Sequence, residues 1–164
     1  MKGRLLLMTE DNVWIHIPGT RNPIRLTPQQ RLMGQASNGD IARMNFASDY
    51  NGTLLGYQKI DGHQCFHLLL MAKKNSTTYQ KIEYFVATEN YKPVKAIYFA
   101  KSGKILKEGH FDKFAKFQNS LKVSEHTIKD KIKTNEYTIL RYSKMKFESL
   151  PDFYFNKNYL KRIQ

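Results

Sequence analysis

Cysteine is almost missing from this chain: Cys65 is the only one in 164 residues. That excludes an internal disulfide framework and any multi-cysteine metal centre. Long apolar runs are also missing. The longest, Leu5–Met8 and a Phe66–Ala72 run interrupted by His67, fall far short of the ~20 residues a membrane-spanning helix needs. Met1-Lys2-Gly3-Arg4 leads into only four apolar residues, fewer than the ~7–15 of a secretory h-region. Taken literally, that predicts a cytoplasmic chain. There is no glycine-rich phosphate loop, since Asn38-Gly39 supplies a single glycine. Acidic residues are scarce, 14 Asp/Glu against 27 Lys/Arg, for a net charge of +13.

What is present argues for a folded protein. A hydrophobic share of 41% with 13% aromatics is too high for a disordered chain and enough for a core at this length, so residues 1–164 are expected to form one domain. The charge is uneven. Residues 1–91 carry 10 basic and 7 acidic side chains; residues 92–164 carry 17 and 7. The second part therefore holds +10 of the total, mostly as lysines scattered singly among apolar residues. Three readings stand open: a solvated outer face, an anionic membrane surface, or nucleic acid. With no arginine-rich run and no aromatic RNA-binding motif, nucleic acid is not expected as a partner.

The pattern along the chain is strand after strand. Arg4–Thr9 and Val13–Ile17 flank the turn Glu10-Asp11-Asn12, and Ile24–Leu26 follows a Pro/Gly loop. Strands are then expected over Thr53–Ile60, His63–Ala72, Tyr79–Thr88, Val94–Lys101, Ile105–Lys116, Lys122–Asp130 and Glu136–Phe147, with a helical turn near Asn158–Arg162. Turn spacings of roughly 8–12 residues are those of an antiparallel sheet, sandwich or barrel. Period-two alternation puts Phe66, Leu68 and Leu70 on one face, matched by Ile82, Tyr84 and Val86, while His63, Cys65, His67, Lys81 and Glu83 fall on the other. A sheet with one wholly apolar and one amphipathic face is expected to curl around something apolar.

Beyond its brief opening strand, the stretch Ile24–Tyr50 does not read as sheet, whereas almost everything around it does. Thr27-Pro28 is a helix start, Gln29–Met33 a short helix, and Gly34 its stop. Ser37, Asn38 or Asp40 caps a second helix carrying Ile41, Met44 and Phe46 on one side. These two helices are expected to plug the sheet. Leu32, Met33, Ile41, Met44 and Phe46 are either plain core or the lining of an apolar cavity for an acyl chain, for which flexible methionine is well suited. Residue types alone do not separate the two.

Sites of other chemistry are weak. His63, Cys65 and His67 share a strand face, but same-face neighbours lie ~6–7 Å apart and rarely close on one metal. No metal or cofactor is expected. Ser102, His110 and Asp112 are triad residue types without a nucleophile elbow, and the chain is read as a non-enzyme.

Several segments resemble a known family. Arg21–Arg25, Gln30–Asp40, Asn45-Phe46, Asp49-Tyr50, Leu54–Gly56, Asp61-Gly62, Tyr91–Pro93, Ser102–Lys104, Leu150–Asp152 and Tyr159–Lys161 look like the signature of outer-membrane lipoprotein-sorting-like proteins, relatives of the periplasmic carriers LolA and LolB. The resemblance implies a mainly β fold: a curved antiparallel half-barrel whose concave face is plugged by short helices. It implies a periplasmic, bacterial-envelope setting and transport of lipid or lipoprotein acyl chains, with an anionic membrane surface or a membrane transporter as further partners. By position, Leu32, Met33, Ile41, Met44 and Phe46 would be plug residues, and Phe66, Leu68 and Leu70 would lie on the concave sheet. Family members usually carry a signal peptide, a long helix and several strands before the part matching this chain, and the expected domain lacks them. The competing expectation is an envelope interaction module whose cavity its own plug fills.

Overall fold

Period-two alternation of apolar and polar residues builds sheet nearly everywhere, overriding the helix propensity of the many lysines and leucines. The computed structural model describes residues 3–9, 12–27, 30, 45–133 and 136–162. These gather into two units, one from the two ends of the chain and one from residues 45–145.

The first unit holds three short antiparallel strands, β1 (Leu5–Met8), β2 (Val13–His16) and β3 (Ile24–Leu26), in that order. Val13, Ile15 and Leu26 form its buried centre, with Leu6 and Ile17 packed against them. Thr27 and Gln30 bond reciprocally: the Thr27 N–H donates to Gln30 Oε1 at 2.9 Å and the Gln30 N–H to Thr27 Oγ1 at 3.3 Å. This is the capping box that a Thr-x-x-Gln start dictates. Near the C-terminus, 3-10 turns at Asp152–Phe155 and Tyr159–Lys161 bring together the rings of Phe153, Tyr154 and Tyr159. Lys157 lies over the indole of Trp14, 5.1 Å from its centroid.

The second unit is a seven-stranded antiparallel meander: β4 (Tyr50–Ile60), β5 (His63–Ala72), β6 (Lys81–Ala87), β7 (Pro93–Phe99), β8 (Ile105–Phe117), β9 (Ser120–Asp130) and β10 (Tyr137–Arg141), each bonded to the next. The sheet is open and curved. Bulges interrupt the ladders at Leu54/Gly56, Phe85/Val86, Tyr98/Phe99 and on both sides of Lys113, and each adds local bend and twist. At the first of these Gly56 has φ +144°, a backbone state side chains resist.

Boundaries differ from the sequence reading most at the two ends of the large sheet. β4 begins at Tyr50 rather than after Gly52, because Gly52 lies within the ladder opposite Leu70, where a side chain would press on Leu70 Cδ2. The last strand is five residues, not twelve, since its pairing with β9 stops at Arg141–Glu125. The helix preceding the meander, α1 (Phe46–Asp49), starts at Phe46 with Asn45 as its cap, whose Oδ1 accepts from the Ser48 N–H. The expected helix over Gln29–Met33, the cap at Ser37, Asn38 or Asp40, and Leu32, Met33, Ile41 and Met44 lie outside the described residues.

Candidate functional site: the apolar face of the large sheet

Strand register decides which side chains share a face. Leu54, Leu68, Tyr84, Ala96, Gly109 and Ile128 are successive partners from β4 to β9. Beside them run Gly52, Leu70, Ile82 and Tyr98, and on the other side Tyr57, Phe66 and Val86. Thus Phe66, Leu68 and Leu70 do lie on one face together with Ile82, Tyr84 and Val86. Phe46, the one expected plug residue that is described, stands on this face too, 4.8 Å from the Tyr84 ring and 5.9 Å from that of Tyr50.

Aromatic contacts extend across the strands. Tyr84 meets Phe111 edge-on at 5.9 Å, and Phe111 stacks on His126 at 4.4 Å and 7°. Nearer the open edge, Phe66 contacts Tyr57 at 5.5 Å and stacks on Tyr91 at 6.2 Å. Alternation alone did not reveal this second set, because Tyr91 comes from a turn. The face is graded in exposure. Ile82, Ala96, Tyr98 and Ile128 are buried, whereas Leu54 is 51% and Tyr57 63% exposed and Phe66 and Leu68 are half-buried. Burial pushes the pKa of the Tyr84 hydroxyl up; it does the same to Tyr50, aided by Asp49, so both hydroxyls stay neutral. The Tyr50 O–H donates to the Tyr79 carbonyl at 3.0 Å.

The opposite face is ion-paired. Glu108 meets Lys95 at 3.2 Å, His110 at 2.8 Å and Lys131 at 3.6 Å. Burial works to raise its pKa, but the bonds from His110 and Lys95 and the charges of Lys95 and Lys131 outweigh it and hold the carboxyl at about 2. Glu125 is likewise held low by Lys113 at 2.9 Å and Arg141 at 2.7 Å.

The weaker sequence candidates are drawn apart on this side. His63 pairs with Glu89 at 2.9 Å, and His67 with Glu83 at 3.2 Å while stacking on Phe85. Cys65 is fully buried, and burial, then Glu89, raises its thiol pKa. Among the described residues no group of three or more His, Cys, Asp or Glu side chains is arranged to hold a metal. His110 turns its ring nitrogens to Asp61 and Glu108, and Asp112 accepts from the Thr127 hydroxyl at 2.6 Å. Both partners of the notional triad are therefore engaged elsewhere. A cavity of about 280 Å³ near them is lined by Asp61, His63, Lys92 and His110 as well as Phe111 and Phe114. The rest of the lining, which includes Ala87, Pro93 and Val94, makes it mixed rather than wholly apolar.

The large unit is thus an open, bent antiparallel sheet with one apolar face and, among the described residues, one helical turn against it. A family model described as "Uncharacterized protein" matches residues 1–162. A LolA superfamily protein of Nitrosomonas europaea is 38% identical over 96% of this chain and 71% of its own, with a TM-score of 0.84. The fold alone is shared with an outer membrane lipoprotein-sorting protein domain of Vibrio parahaemolyticus (20% identity, 94% of this chain and 68% of that one, TM-score 0.76). It is shared equally with a DUF1329 family protein of Desulfovibrio piger (22% identity, 94% and 66%, TM-score 0.76). No curated protein matches the chain. The chain belongs to the LolA superfamily.

Proposed function

We propose that this chain is a non-enzymatic carrier or chaperone for lipid or lipoprotein acyl chains in the bacterial envelope, acting in the periplasm without a cofactor. The observation that supports it best is the exposed part of the apolar face: Leu54, Tyr57, Phe66 and Leu68 lie on the face that Phe46 partly covers. An acyl chain laid there would gain ~0.8 kcal/mol for each methylene removed from water. Phe66, Leu68 and Leu70 form the floor in this reading, and Leu32, Met33, Ile41, Met44 and Phe46 form a plug that must move for loading and release. The basic residues 92–164 orient the protein at an anionic membrane.

The test is binding of a fluorescent fatty acid, paired with native mass spectrometry of the purified chain. Saturable binding that falls at least tenfold in Leu68→Asp is expected; no bound lipid and no fatty-acid affinity overturns the proposal.

A second reading has its own support. Ile82, Ala96, Tyr98 and Ile128 on the same face are already buried, as expected if the hollow is self-filled and the protein is an interaction module for a membrane transporter. That reading predicts a chain that binds no fatty acid in the same assay.

A further inference from the structure

The cavity of about 280 Å³ lies at the end of the large sheet where the short β6–β7 turn meets two longer hairpins. β6 stops at Ala87 and β7 begins at Pro93, while Asp61 Oδ2 in the β4–β5 turn comes within 3.4 Å of His110 Nδ1 on β8. The β6–β7 turn serves two surfaces at once. Tyr91, at φ +57°, stacks its ring on Phe66 of the apolar face, and its neighbours Asn90 and Lys92 line the cavity. Backbone bonds fix that division: the Tyr91 N–H donates to the Ala87 carbonyl at 3.0 Å, and the Ala87 N–H to the Lys92 carbonyl at 2.9 Å. The Lys92 N–H in turn donates to Asn90 Oδ1 at 2.9 Å. Phe111 is shared in the same way, meeting Tyr84 edge-on and forming part of the cavity wall. The cavity therefore adjoins the apolar face.

Both signs of charge meet in its lining, and each has bonding capacity to spare. The Lys92 ammonium lies over the Phe114 ring, 5.3 Å from its centroid, and among the described residues no carboxylate is within bonding distance of it. Glu89, the acid in the same turn, is bonded to His63 Nδ1 at 2.9 Å. The two acids of the lining use one oxygen each. Asp61 Oδ2 faces His110, and Asp112 Oδ2 accepts from the Thr127 hydroxyl at 2.6 Å. A simple anion brought to Lys92 would face Asp61 and Asp112, and a simple cation brought to the acids would face Lys92. A ligand carrying both charges satisfies all three. At ~30 Å³ per water the space is that of about nine waters, enough for a small headgroup.

We propose that this cavity seats a phosphate ester of a primary amine, the headgroup of an ethanolamine-type phospholipid. Its phosphate takes the Lys92 ammonium and its ammonium takes Asp61 and Asp112, through charge-assisted hydrogen bonds. The acyl chains pass over Phe111 onto the apolar face. The proposal rests on the carrier reading and names the headgroup that the cargo carries. A choline headgroup has no N–H to donate to the carboxylates, and a glycerol headgroup brings them no positive charge, so both bind less well.

Competition against the fluorescent fatty acid tests it, with ethanolamine, choline and glycerol phospholipids of identical short acyl chains and the matching diacylglycerol, all kept below micelle-forming concentrations. The ethanolamine lipid is expected to bind about tenfold more tightly than the other three. Lys92→Gln should bring it down to the diacylglycerol level, with diacylglycerol affinity itself unchanged. Asp61→Asn/Asp112→Asn should erase the preference for the ethanolamine over the glycerol lipid, which a merely structural fault would not do. Asparagine tolerates the left-handed backbone at Asp61 (φ +48°) and can still accept from Thr127. Equal parent affinities for the ethanolamine and glycerol lipids, or a preference that survives in both variants, overturns the proposal and leaves the carrier reading standing. Calorimetry with soluble phosphoethanolamine separates the two sources of the headgroup. If the parent binds it, Lys92→Gln does not, and no lipid or fatty acid binds, the carrier reading falls and the cavity stands as a site for a free phosphorylated amine. Binding of neither overturns both.

Discussion

Gly109 is where the apolar face allows least change. It faces Ala96 and Ile128 across the ladders, and a Cβ built on it runs into His126 Nε2, lies 3.3 Å from His126 Cε1 and is 3.2 Å from Tyr98 Cε2. Both rings are buried. His126 has little freedom to yield, because its ring stacks on Phe111 at 4.4 Å and Phe111 abuts Tyr84. In an open strand Gly→Ala stabilises by ~0.5–1 kcal/mol through lost unfolded-state freedom. Here overpacking costs ~1–3 kcal/mol, so Gly109→Ala should destabilise by about 1–2 kcal/mol.

The same substitution in a His126→Ala background meets only Tyr98 and should be close to neutral, giving a coupling of about 1–2 kcal/mol. Urea unfolding followed by far-UV circular dichroism is the readout, because the only tryptophan, Trp14, belongs to the small sheet. Equal losses in both backgrounds, or a Gly109→Ala chain as stable as the parent, would show that the glycine is not there to make room for the imidazole.

Three further outcomes are expected. Glu108→Gln should cost ~1–2 kcal/mol at pH 7, less than the ~3 kcal/mol its depressed pKa would give without solvent screening. Because that pKa is lowered to about 2, the contribution is complete above ~4.5 and disappears as the pH falls toward 2, so the stabilities of parent and variant must converge in acid. Ile82→Ala, which truncates a fully buried side chain, should lose ~2–5 kcal/mol in the same urea titration. Cys65 should resist Ellman's reagent in the native protein and react on unfolding, since it is fully buried and its thiol pKa is raised; prompt native-state reaction would contradict that packing.

The large sheet was legible because its alternation is strong where both neighbours are strands. Phe66–Leu70 and Ile82–Val86 found their common face from period two alone, and register confirms it. Bulges were not legible. Those on either side of Lys113 shift the register with no composition cue, as does the left-handed Gln118 that closes the hairpin. The last strand was overestimated because Tyr142–Phe147 keeps strand-like residues although the ladder with β9 stops at Arg141–Glu125 while β9 itself runs on to Ser120, and pairing, not propensity, ends a strand. His126 could not be assigned to the aromatic face from sequence, since its place depends on a glycine two strand positions from Lys107 on the neighbouring strand.

The two faces of one sheet divide the work. On the ion-paired side nearly every carboxylate already has a lysine, arginine or histidine within bonding distance, so that side is settled by its own charges and gains little from a ligand. On the apolar side the gradient runs from buried Ile82 and Tyr98 to exposed Leu54 and Tyr57. Any guest that relieves exposed hydrocarbon must therefore bind toward the β4 edge rather than over the centre. This makes the order of substitutions informative: Leu54→Asp and Tyr57→Asp should weaken fatty-acid binding while leaving the urea midpoint nearly unchanged, because both side chains are already in water. Substitutions at Ile82 should do the reverse, lowering stability first. A fatty acid whose affinity tracked Ile82 and ignored Leu54 would place the guest in the middle of the sheet and refute the gradient argument.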